Sequence, residues 1–261
     1  MEAAAVVRAQ VAATMKRSDF CALSGASVLA ARAGGVDAPS SNTRMPATIA
    51  GIKIPDSYVA KQATAHAQDV EDAQLFAHSA RSFVFAELIA NAKKIKHDTE
   101  IVYVSAILHD IGLTKEHATP HLRFEIDGAN LAKQLLTANN ATAVQSQVAW
   151  DAVVLHSMFD IARYKEPEVN LVSAGVITDV GAAFVPYLDK AAVQDVLAAL
   201  PRHGFNAAFL AVLTDYAHRK PDTVGGTFVE DIAIHTVHGY ARGDFYEALK
   251  MPDPFTKLGF A

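Results

Sequence analysis

Thr99-Glu100-Ile101-Val102-Tyr103-Val104-Ser105-Ala106-Ile107-Leu108-His109-Asp110-Ile111-Gly112-Leu113 is the most apolar run in the chain, and near its end stand a histidine and an aspartate. Residues 99–109 are apolar almost all round. That pattern predicts a helix buried on every face, at the centre of the fold. Gly112 follows as a stop signal. A charged carboxylate at the end of such a helix costs several kcal/mol to desolvate unless it is paired or meets a cation.

Helical periodicity extends to either side of this run. Residues 69–92 place Ala73, Phe76, Ala77, Ala80, Phe83, Val84 and Leu88 at three- and four-residue spacings, an apolar stripe. Residues 124–136 read as a helix with Ile126, Ala129, Leu131 and Leu135 inward. Further helices are expected at 144–156, 171–184, 190–200 (ended by Pro201), 203–218 and 229–249. No regular strand–turn–strand pattern occurs. The expected fold is all-α, with one domain over residues 57–261. Residues 1–56 form an Ala-, Ser- and Gly-rich tail and linker. Pro46 and Pro55 mark 42–61 as the linker.

Composition sets outer limits. The chain has 261 residues, 51% hydrophobic and 20% charged, enough apolar material for a large core. A net charge of −5 and a pI near 6.1 lack the basic footprint of a general nucleic-acid binder. No stretch approaches the roughly 18 apolar residues of a membrane span. The single cysteine, Cys21, excludes an intramolecular disulfide and a cysteine-rich zinc site. The eleven histidines remain for metal or acid–base chemistry.

Near the start, Met15-Lys16-Arg17-Ser18-Asp19-Phe20-Cys21 begins a basic and then mildly apolar segment that closes on Ala31-Arg32-Ala33. It resembles a twin-arginine export signal with Ser18 in place of the second arginine and Cys21 in place of the leucine. That pair of arginines is what the export receptor reads. The expectation is therefore a cytoplasmic protein, with periplasmic export as the alternative. Met15 is an alternative start.

The informative residues are polar ones in apolar company. His109-Asp110 is the first such site. Asp179 lies in Gly175-Val176-Ile177-Thr178-Asp179-Val180-Gly181-Ala182, His78 flanks the first apolar stripe, and His156 closes Val153-Val154-Leu155-His156. Taken singly, a core histidine hydrogen-bonds and an aspartate after a helix caps it. Taken together, groups on different helices call for a common partner. A divalent metal is one; imidazole with carboxylate suits zinc, iron, manganese or nickel.

The order His78, then His109-Asp110, then Asp179 resembles the HD-domain superfamily, whose helical bundle holds metal with those residue types. The words Ala77-His78-Ser79-Ala80-Arg81-Ser82-Phe83 and Ala106-Ile107-Leu108-His109-Asp110-Ile111-Gly112-Leu113 carry the likeness. Arg123-Phe124-Glu125-Ile126-Asp127-Gly128-Ala129, Leu155-His156-Ser157, Asp179-Val180-Gly181-Ala182 and Pro201-Arg202-His203-Gly204-Phe205 narrow it to the cyanamide hydratase-like group.

The resemblance implies His78, His109, Asp110 and Asp179 as ligands of one divalent metal, zinc foremost. It implies His156 as a proton donor or orienting group, and Arg123 with Glu125 as a brace. Arg202 and His203 would wall the site or cap the next helix. His117 and His121 flank Pro120, in a loop over the site. The implied activity is addition of water to the C≡N of cyanamide or a related small nitrile. The alternative is a phosphohydrolase, with Lys115, Arg81, Arg123 or Arg202 clamping phosphate. A third reading gives the metal a purely structural role. The expected partner is a small-molecule substrate, with neither nucleic acid nor membrane. A homodimer is compatible with the helical surface.

Overall fold

The computed structural model describes residues 45–251, so the readings of the export-like segment, Met15 and Cys21 lie outside the described residues. A short antiparallel hairpin comes first, β1 (Thr48–Ile49) and β2 (Ile52–Lys53), with Ile49 opposite Ile52. Helices α1 (Tyr58–Val70), α2 (Ala73–Lys93) and α3 (Thr99–Leu108) follow. A 3-10 turn at Ile111–Leu113 leads through a loop to α4 (Phe124–Ala138), α5 (Ala143–Val154), α6 (Phe159–Ala162) and α7 (Pro167–Gly181). The remaining helices are α8 (Lys190–Ala199), α9 (Phe205–Arg219), α10 (Val229–Thr236) and α11 (Phe245–Lys250). The fold is all-α, as the periodicity predicts.

Helix α3 is central, and every residue from Ile101 to Leu108 is buried. Asp98 starts it by accepting the backbone N–H groups of Glu100 and Ile101. Glycines let the surrounding helices come close. A Cβ on Gly175 of α7 would stand 2.1 Å from the Ser82 carbonyl of α2, and one on Gly128 of α4 2.6 Å from the Leu108 carbonyl. Gly112 has the same use. Its Cβ would stand 2.2 Å from the Phe124 carbonyl, so its role is close approach, while α3 already ends at Leu108. A smaller core joins Leu75, Leu113 and Phe124 to Leu213, Tyr216 and Val229, docking α9 and α10 over the start of α2 and the turn after Asp110.

Three expectations need correction. The described part of the expected linker, residues 45–61, is not simply a linker. Ile49, Ile52 and Ile54 enter the main core, and α1 begins at Tyr58 behind the N-cap Ser57. The hairpin turn puts Ala50 at φ 50 and Gly51 at φ 78, the geometry of a two-residue turn between short strands. Residues 229–249 are not one helix: α10 stops at Thr236, and Gly239 at φ 78 sits in the break before α11. Helix α7 starts at Pro167, a turn earlier than expected, and gives way to a left-handed Ala182. Among the described residues, no helix is long and apolar enough to cross a membrane.

Candidate metal centre

The polar residues singled out in the sequence meet at the ends of four helices. His78 lies on α2. His109 and Asp110 follow the last residue of α3, His156 stands two residues past α5, and Asp179 is in the last turn of α7. All five are at most 2% exposed.

Their hydrogen bonds fix which ring nitrogens carry protons. His109 Nδ1 lies 2.7 Å from the Ala106 carbonyl and His156 Nδ1 2.6 Å from the Val153 carbonyl. A carbonyl only accepts, so each Nδ1 is the donor. His78 Nδ1 donates to Asp179 Oδ2 at 2.7 Å. In the neutral rings, each Nε2 is then a bare lone pair. His78 Nε2 and His109 Nε2 nevertheless face each other at 3.2 Å. Asp110 Oδ2 is 3.2 Å from His109 Nε2 and 3.6 Å from His78 Nε2. Asp110 Oδ1 is buried with no hydrogen-bond partner and stands 3.6 Å from His156 Nε2.

Lone pairs and a carboxylate gathered this closely would be satisfied by a cation between them. One donor atom each from His78, His109 and Asp110 lie within 4.8 Å of one another. Tetrahedral ligands about 2.0–2.1 Å from a zinc ion lie about 3.3 Å apart, which matches these separations. The donor set therefore fits a divalent metal.

Burial lowers His78 from its ordinary value, only partly countered by the Asp179 hydrogen bond. Burial also opposes charge on His109, but the Asp110 carboxylate outweighs it and leaves His109 raised. Burial would raise Asp110; the charges of His109, His156 and His78 reverse this and hold it well below the usual carboxylate range. Burial, then the charge on His109, lowers His156 to about 3, so its Nε2 is unprotonated near neutral pH.

Asp179 occupies a different place from the other implied ligands. It stands outside the close donor group, behind His78. Arg81 Nε reaches its Oδ1 at 2.7 Å and Arg81 Nη2 its Oδ2 at 3.1 Å, while Arg202 Nη1 meets Oδ1 at 2.7 Å. This is the arrangement of a carboxylate that fixes the tautomer and tilt of a metal-binding histidine. The geometry thus differs from the ligand role implied for Asp179 by resemblance. Arg81 is fully buried and also donates to the Leu200 and Pro201 carbonyls at 3.3 Å, tying α2 to the segment before α9.

Aromatic rings close the site. Phe205 and Phe209 of α9 stack on each other and lie with centroids 5.3 and 5.4 Å from the His78 ring. Phe124 meets His156 edge-on at 5.7 Å. Arg123 and Glu125, on either side of Phe124, pair with each other at 2.5 Å and do not join the donor group. His117 pairs edge-on with His66 instead of entering the cluster, and His121 and His203 are exposed. Sequence reasoning missed Glu71 and Gln74, whose carboxylate oxygens and amide oxygen are buried without partners. No periodic or motif signal sets them apart.

Comparison with known protein families matches the HD domain to residues 75–179, the span that begins just before His78 and ends on Asp179. None of the curated proteins compared matches the chain. HD domains are typically metal-dependent enzymes of hydrolase type, and the His78–His109–Asp110 cluster could hold the divalent metal that such chemistry uses.

Proposed function

We propose that the chain is a metal-dependent hydro-lyase that adds water to the C≡N bond of cyanamide or a related small nitrile, with zinc as the metal. One observation carries this choice over phosphoryl chemistry. Of the four cations that could clamp a phosphate, three are already committed to buried carboxylates. Arg81 and Arg202 hold Asp179, Arg123 holds Glu125, and Lys115 lies on the surface 3.9 Å from Asp215. A phosphate would have to displace an internal partner to be held. A small uncharged molecule needs no such clamp, and the aromatic wall of Phe205, Phe209 and Phe124 suits one.

His78, His109 and Asp110 would hold the metal, with Asp179 orienting His78. Such a metal, when bound, acidifies water and polarises the group under attack. His156 holds its Nε2 lone pair toward Asp110, ready to take a proton from water and return it to the nitrile nitrogen. The rings above His78 exclude bulk water. The elements of water are added across C≡N with no leaving group, so cyanamide yields urea. The test is to incubate metal-loaded protein with cyanamide and with a panel of phosphate esters, assaying urea and free phosphate. Urea alone supports the reading; phosphate alone replaces it with the phosphohydrolase; neither leaves a structural metal.

On location, Ser18 in place of a second arginine favours the cytoplasm over export. Cell fractionation with N-terminal sequencing tests this: a cleaved chain outside the cytoplasm would overturn it.

A further inference from the structure

Val70, Glu71 and Asp72 form the corner between α1 and α2. The Glu71 N–H closes α1 on the Ala67 carbonyl at 2.8 Å, and the Asp72 side chain caps α2. The Glu71 side chain does neither. The residue is 8% exposed, and neither carboxylate oxygen has a hydrogen-bond partner. Gln74 stands one turn before His78 on the same face of α2, and its Oε1 is also buried and unpartnered. Asp110 Oδ1 is a fourth such atom.

Buried polar atoms in native proteins are almost always satisfied, so several unsatisfied ones near one site mark a place that something else occupies. All of these atoms are oxygens able to accept a hydrogen bond, so the complement is a donor. An anion would bring acceptors to acceptors. A small uncharged group with N–H bonds brings what is missing.

A surface depression lies beside this corner. Val70, Asp72 and Leu75 line one side of this depression of about 340 Å³, and Leu113, Thr114 and Lys115 line another. Leu113 belongs to the turn that begins at Asp110.

We propose that Glu71 and the Gln74 amide oxygen hold the N–H groups of the substrate, and so select a small, uncharged molecule bearing an amino or amide group. This rests on the nitrile reading above, and the experiment separates the two.

Metal-loaded wild type, Glu71→Gln and Glu71→Leu are compared on cyanamide and on dimethylcyanamide, which keeps the nitrile but has no N–H. Binding of urea and of tetramethylurea is followed in parallel by ligand-observed NMR. In both variants the kcat/KM preference for cyanamide should fall about tenfold or more, mostly through KM, with metal content unchanged. Urea binding should weaken in step. An unchanged preference, or urea binding that ignores Glu71, overturns the proposal. So does loss of metal in Glu71→Gln, which would make Glu71 part of the metal site. Wild type inactive on both nitriles defeats the nitrile reading alone; urea binding then decides Glu71 in the same two ways. The melting temperature gives an independent check. It should hold or rise in Glu71→Leu, and a fall in both variants would make Glu71 a structural group and overturn its ligand role.

Discussion

The His78 and His109 rings present Nε2 to Nε2 at 3.2 Å, while each Nδ1 is tied to an acceptor, Asp179 in one case and the Ala106 carbonyl in the other. Two lone pairs held at that distance repel unless a cation lies between them. Metal binding at this centre should therefore stabilise the fold. Removing the metal with a chelator should lower the melting temperature. Binding to the native state stabilises by about 4 kcal/mol at a thousandfold excess over Kd. Calorimetry of metal-loaded and stripped protein checks this, and coincident transitions would count against a shared site.

His156→Ala should keep its metal and lose most turnover. Its Nε2 faces the orphaned Asp110 Oδ1 at 3.6 Å, outside the close group of His78, His109 and Asp110. Loss of acid–base assistance costs about a hundred- to ten-thousandfold in rate. Release of metal would make His156 a ligand; full activity would make it structural.

The chemistry of the site was more legible in the sequence than its boundaries. Helix α3 announces itself because all its faces are apolar, and a carboxylate at its end is anomalous without any structure. Helix α1 is hidden because its buried stripe is Val59 with Ala60, Ala63 and Ala67, and small side chains give little hydrophobic signal. The hairpin was masked by Pro46 and Pro55, although Ile49-Ala50-Gly51-Ile52 holds a glycine where the turn requires positive φ. Asp179 reads as one more ligand until Arg81 and Arg202 are seen to hold it. Glu71 was illegible because an acid beside Asp72 reads as an ordinary helix start, and only tertiary packing buries it.

Gly175→Ala should destabilise the fold by about 1–3 kcal/mol, the usual range for overpacking. Its Cβ would meet the Ser82 carbonyl at 2.1 Å, so α7 must move away from α2 and carry Asp179 from His78. Chemical denaturation measures the loss. A variant of unchanged stability would show that the two helices slide apart freely.

His97 predicts a pH dependence away from the metal centre. Nδ1 faces the Ile95 carbonyl at 3.1 Å and Nε2 faces Glu87 at 2.8 Å, so both nitrogens act as donors and the ring is an imidazolium. Burial lowers its pKa, but the Ile95 and Glu87 hydrogen bonds outweigh this and leave it raised above 6.5. The pair's stabilisation is thus fully present below the unfolded value and is lost as pH rises through the raised folded value. The melting-temperature gap between wild type and His97→Gln should shrink on going from mildly acidic to alkaline buffer. A gap that widens would contradict the assignment.

The most direct test is metal analysis of purified wild type, His109→Ala and Asp110→Ala after dialysis against metal-free buffer. About one divalent ion per wild-type chain is expected, with essentially none in either variant and each variant still helical by circular dichroism. A stoichiometric ion retained by His109→Ala or Asp110→Ala would contradict the assignment of this cluster as the metal centre.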